Sequence, residues 1–131
     1  MNYRTFLALI VVGFLTTACS DIKTVKTGDG SAVKYQVIAT GDTEDRLRIL
    51  NVAAAKAGDL SRASVEVMND SNFAWKFEYR FKWYDANGME INAESTAWTP
   101  VAIMGKETKS LQALAPNPTA ATFKLFLQEK P

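Results

Sequence analysis

Apolar and polar side chains alternate along several stretches of the chain, most clearly in FAWKFEYRFKWYD, Phe73 to Asp85. Successive side chains of a strand point to opposite faces. Phe73, Trp75, Phe77, Tyr79, Phe81 and Trp83 therefore share one side, and Lys76, Glu78, Arg80 and Lys82 the other. The rings predict a core face, where burying one Phe fully contributes roughly 1.5–3 kcal/mol. At the rise of an extended strand this run is about 33 Å long, beyond the usual strand, so a bulge or a projecting end is expected. Trp75 and Tyr84, with Trp98 from a neighbouring strand, are the candidates for exposure and for a binding surface.

The same period of two appears in RASVEVMN, where Val65 and Val67 alternate with Ser64 and Glu66. It returns in ATFKLFLQE, where Phe123, Leu125 and Leu127 alternate with Lys124, Phe126 and Gln128. NDSN and DANG read as turns between strands, with Asn87-Gly88 suited to positive φ. Short strands are expected at 89–92, 96–103 and 107–113, the second an edge or bulged strand because Pro100 cannot donate to a ladder. Strands this short and regular predict an all-β antiparallel sandwich of about seven strands. The segment DTEDRLRILNVAAAKAGDL is ambiguous. Asp42 or Thr43 as a cap and three alanines favour a helix, while Leu47 and Ile49 against Arg46 and Arg48 allow a strand.

At the N-terminus the pattern changes. Arg4 precedes an apolar run from Phe6 to Leu15 and then small residues, the form of a secretion signal. The run is too short for a spanning helix, which needs roughly 20 residues. The small residues end at Cys19, the chain's sole cysteine, and TTAC resembles a bacterial lipobox. That resemblance implies diacylglycerol on the Cys19 sulfur, cleavage before it, and acylation of the new terminus with a fatty acid such as palmitate. Several acyl chains give a stable anchor. The usual Leu three residues before the cysteine is replaced by Thr16. Ser20, in place of the Asp of inner-membrane retention signals, implies the outer membrane, periplasmic face. Residues 1–18 are then a signal peptide, 19–44 a Ser-, Thr- and Gly-rich tether with room for one short strand at its apolar patch VKYQVI, and 45–131 the sandwich domain.

Charge and chemistry narrow the functions. Removing residues 1–18 takes Arg4 and no acid from 15 Lys plus Arg and 14 Asp plus Glu, leaving the mature chain balanced. A phosphate-tracking surface needs a basic excess, and within the aromatic strand rings and cations lie on opposite faces, so no nucleic-acid partner is expected. There is no His, which removes the commonest general base and imidazole metal sites. Asp42, Glu44 and Asp45, or Asp85 and Glu90, are the remaining carboxylate clusters, and polar turns hold such residues routinely. DANGME lacks the ligands of a calcium loop. No catalytic residue, metal or cofactor is expected.

The run YRFKWYDANG resembles the core motif of the YcfL-like bacterial lipoproteins through Arg80, Phe81, Trp83, Tyr84, Asp85 and Gly88. GDL at 58–60, Asn69 and AP-x-P at 115–118 lie where that family has similar residues. The resemblance implies an immunoglobulin-like sandwich on an outer-membrane anchor, without established activity, and favours a strand for the ambiguous segment. The expectation is a non-enzymatic, lipid-anchored envelope protein whose sandwich binds a protein partner. The alternatives are a glycan (peptidoglycan) module using Trp75, Tyr84 and Trp98, or a purely structural lipoprotein.

Overall fold

The computed structural model describes residues 22–28, 30–92 and 97–130, so Cys19 and the signal segment lie outside it. Along these residues run β1 (Lys23–Lys26), β2 (Ala32–Ala39), the helical turn α1 (Thr43–Arg46), β3 (Leu47–Ala57), β4 (Leu60–Asn69), β5 (Trp75–Asp85), β6 (Glu90–Ile91), β7 (Thr99–Ile103), β8 (Thr108–Leu114) and β9 (Ala120–Glu129). They form two sheets. The larger has the order β1-β2-β9-β5, with β6 and β7 both on the far edge of β5; the smaller has the order β3-β4-β8. This is the all-β sandwich that the alternation predicted, with more than the about seven strands that spacing alone suggested.

Two expectations are corrected at the N-terminal side. The segment read as a tether contains β1 and β2, both paired into the larger sheet, so the sandwich begins well before residue 45. The ladder between β2 and β9 is parallel, from Lys34↔Thr122 to Ala39↔Leu127, whereas the other ladders are antiparallel. The ambiguous segment divides: Thr43–Arg46 makes the single turn α1, with Asp42 at its N-cap position but making no side-chain cap hydrogen bond, and Leu47–Ala57 is the strand.

The core lies between the inner faces. From the larger sheet come Val33, Phe77, Phe81, Trp83, Phe123, Leu125 and Leu127; from the smaller, Leu47, Ala63, Val65, Val67 and Leu111. Phe123 joins three rings, with centroids 5.3 Å from Trp83, 5.6 Å from Tyr35 and 5.7 Å from Phe81. Aromatic pairs at such offsets contribute about 0.5–1.5 kcal/mol beyond their area. The excess length of the aromatic run is resolved in both expected ways. Phe73 projects before the strand and is 76% exposed, and the register shifts between Tyr84 and Asp85.

Candidate functional site

The inner faces are committed to the core, so a binding site must be sought on the outer faces, at edges and in grooves. Inner residues of β9 are Phe123, Leu125 and Leu127, which sends Lys124, Phe126 and Gln128 outward. On β5 the buried Phe77, Phe81 and Trp83 send Glu78, Arg80, Lys82 and Tyr84 outward. Register then sets the neighbours: Glu78 opposite Gln128, Arg80 opposite Phe126, Lys82 opposite Lys124, and Tyr84 opposite Thr122. On its other side β9 meets β2, which places Lys34, Gln36 and Ile38 beside Thr122, Lys124 and Phe126.

This face mixes cations with rings. The Arg80 guanidinium lies 4.3 Å from the Trp98 ring centroid and 5.7 Å from that of Phe126. Lys82 Nζ lies 5.5 Å from Phe126, and Lys124 Nζ 4.8 Å from Tyr84. At these distances the ring quadrupole attracts the cation. Arg80 Nε is buried and makes no hydrogen bond. Glu90, opposite Tyr84 on β6, sits 3.5 Å from Lys82 Nζ, a pair held by charge, because its buried Oε1 has no hydrogen-bond partner. Glu78 accepts a hydrogen bond from Gln128 Nε2. Burial pushes the Tyr84 phenol above its ordinary value; Glu90 adds to the rise and Arg80 offsets part of it.

The separation of rings from charges holds within β5 through Trp83 and fails for the sheet as a whole. Tyr84, Trp98 and Phe126 lie among the cations, so the geometric ground for disfavouring nucleotides does not hold on this face. Of the three aromatic candidates, the structure brings Tyr84 and Trp98 to the outer face and keeps Trp75 apart. Trp75 packs against the core, stacks on Phe77 at 5.8 Å and carries the Arg46 guanidinium 5.4 Å from its ring. All three are half-buried, and among the described residues Phe73 is the ring that stands free. Phe126 and Lys124 were missed as site residues, although a Phe in the polar phase of ATFKLFLQE was a signal for them.

The carboxylate candidates are spread out. Asp42 faces Arg46 at 4.0 Å. Asp85 Oδ1 accepts the backbone N–H of Asn87 at 2.9 Å and of Met89 at 3.0 Å, closing the DANG turn with Gly88 at φ +82. Among the described residues no group of three or more His, Cys, Asp or Glu could hold a metal ion, and no helix is long and apolar enough to cross a membrane. A separate groove of about 390 Å³ lies between β2 and β3, lined by Val37, Ile38, Ala39, Glu44, Leu47, Ile49 and Leu127.

Comparisons with known proteins agree with this architecture. A crystal structure of a DUF1425 family member from Shewanella sp. pv-4 superposes with a TM-score of 0.60 at 22% identity, covering 86% of this chain and 92% of that one. Campylobacter jejuni cj0090 superposes with a TM-score of 0.55 at 18% identity, covering 72% of this chain and 97% of that one. At such identities the likeness is one of fold. No curated protein matches the chain. The family model described as "Protein of unknown function (DUF1425)" matches residues 34–129, from within β2 to the end of β9, and the chain belongs to that family.

Proposed function

We propose that the chain is a YcfL-like member of the DUF1425 family: a non-enzymatic lipoprotein, anchored through Cys19 to the periplasmic face of the outer membrane, whose sandwich binds a protein partner. The observation that carries the binding reading is the outer face of the larger sheet, where Arg80, Lys82 and Lys124 lie on the rings of Trp98, Phe126 and Tyr84. A face required only to meet water gains little from such rings. The anchor reading is supported by Arg4, the apolar run and the small residues before Cys19. It has a geometric consequence. Since β1 starts at Lys23, at most about 14 Å of chain separates it from Cys19, so the domain is held close to the lipid surface.

A non-catalytic role accords with the absence of His and with the side chains that face the carboxylates of Asp42 and Glu90. The glycan reading stays second, favoured by Tyr84 and Trp98 sharing one face. The cations on those rings count against it, because sugars stack on open ring faces.

Mass spectrometry of the N-terminus from membrane fractions tests the anchor. Acyl mass on Cys19 is expected in the wild type, and Cys19→Ala should be neither processed nor retained. An unmodified Cys19 in the membrane fraction would refute it. Crosslinking in intact envelopes tests the partner, and recovery of only bulk abundant lipoproteins counts against it.

A further inference from the structure

We infer that the outer face of the larger sheet docks an acidic, extended segment of a partner protein, with Arg80, Lys82 and Lys124 receiving its carboxylates and Phe126 and Ile38 its apolar side chains. The inference rests on the protein-binding reading above and adds where the partner sits and what chemistry it presents.

Charge is the first ground. Among the described residues the basic side chains on this face are Lys26, Lys34, Lys76, Arg80, Lys82 and Lys124, opposed by Glu78, Glu90 and, at one end, Asp85. The outer face of the smaller sheet is balanced, with Arg48 and Arg62 near Glu66 and Asp70. In a chain with formal net charge +1, this places a cluster of like charge on one of the two outer faces.

The second ground is a local conflict. Lys82 and Lys124 stand directly opposite on the same face, and like charges so placed destabilise a sheet. One glutamate, Glu90, reaches Lys82, while Lys124 rests on Tyr84. Exchanging Lys124 for Glu would relieve the repulsion, so folding alone does not favour the lysine. A ligand carboxylate entering between the two ammonium groups does.

Geometry selects the kind of partner. The Lys82 side chain is only 22% exposed, held between Glu90 and the Phe126 ring, and is poorly placed to reach a bilayer plane or the phosphates of a duplex. The ligand must come down onto the sheet. Acidic residues of this face stand at both ends of the basic strip, Glu78 opposite Gln128 and Asp85 opposite Ala120. A long polyanion running along the strands would meet them, whereas a short segment crossing β5 and β9 would not.

The test uses the full chain in detergent micelles and the fluorescence anisotropy of a short labelled peptide alternating Glu and Val, with a Lys-Val peptide as its counterpart. The acidic peptide should bind, the basic one should not, and binding should weaken with salt, because exposed charges are screened. Lys124→Glu should weaken binding by about tenfold or more while raising the melting temperature, and Arg80→Gln should also weaken it. The rise in stability separates loss of a docking group from loss of fold. No binding to the acidic peptide, or binding that both variants leave unchanged, overturns the inference. So does tighter binding, through the same residues, to phosphatidylglycerol vesicles, soluble muropeptides or a single-stranded oligonucleotide. A crosslinked protein partner whose capture survives Lys124→Glu would leave the protein-binding reading standing and remove this one.

Discussion

Asn69 has no exposed surface, yet every polar atom of its side chain is used. Its amide donates to the carbonyls of Phe73 at 2.8 Å and Met104 at 3.0 Å, and its Oδ1 accepts from the Ser71 N–H and hydroxyl at 3.0 and 2.8 Å. It thus ties the loop before β5 to the loop after β7. Asn69→Ala would leave buried partners unsatisfied, at a cost of about 2–4 kcal/mol, read from urea unfolding; a change within about 0.5 kcal/mol would show that the loops hold without it. Gly105 guards the same junction, since a Cβ there would run into the Asn72 backbone. Tyr84 supplies a prediction in pH. Its raised phenol keeps its proton longer in the folded chain than in the unfolded one. Below about pH 10 both forms are protonated and the contribution is intact. Above it the unfolded chain ionises first, and stability falls as pH rises through the folded value. Tyr84→Phe should therefore flatten the loss of unfolding free energy above about pH 10 in denaturant melts; a slope identical to the wild type would contradict the shift.

At the scale of elements, β3 shows how pairing overrides local preference. Its three alanines favour helix, but its ladder with β4 runs from Leu47↔Asn69 to Ala57↔Leu60, with a turn at Gly58, φ +63, and pairs every residue of the strand except Leu50. Helix survives only where Glu44 and Asp45 suit a first turn. β5 and β9 were legible because each alternates large apolar with polar residues, and that contrast fixes the face. β2 was legible only as one short strand at VKYQVI, and β1 was not, since Lys, Thr and Gly dominate their surroundings and the alternation of Val33, Tyr35 and Val37 is short. The candidate site was half legible: period two assigns a face within one strand, whereas the meeting of Lys82 with Lys124 and of Arg80 with Phe126 needs the register between strands. Among the described residues the outer edge of β3 carries no strand. β1 is short and lysine-bearing, β6 is shorter and β7 contains Pro100, all devices that protect edges. β3 has only Arg48, Lys56 and a register shift between Ile49 and Asn51. Ala53→Lys, at an exposed position, should lower turbidity on heating with stability unchanged within about 0.5 kcal/mol; unchanged turbidity would mean that aggregation starts elsewhere.

The whole molecule is closed by the part of the chain that composition presented as a tether. β2 inserts Val33, 3% exposed, into the core and stacks Tyr35 on Phe123. Its parallel ladder covers an edge of β9 that would otherwise expose backbone groups beside Leu125 and Leu127. The lock continues past the strand, where the Thr40 N–H and the Thr43 hydroxyl both donate to the Leu127 carbonyl, at 3.0 and 3.3 Å. Full burial of Val33 alone is worth roughly 1.5–3 kcal/mol, and with the partly buried Tyr35 and the ladder the loss is a large fraction of a small domain's stability, about 5–15 kcal/mol. A chain beginning at Gly41 should therefore fail to fold or should aggregate through β9, while one beginning at Ser20 should fold and melt cooperatively. Circular dichroism and calorimetry on the two chains decide this. Equal melting temperatures would return residues 20–40 to the role of a spacer. The same cut removes Lys34 and Ile38 from the outer face, so the residues that complete the fold also complete the basic surface.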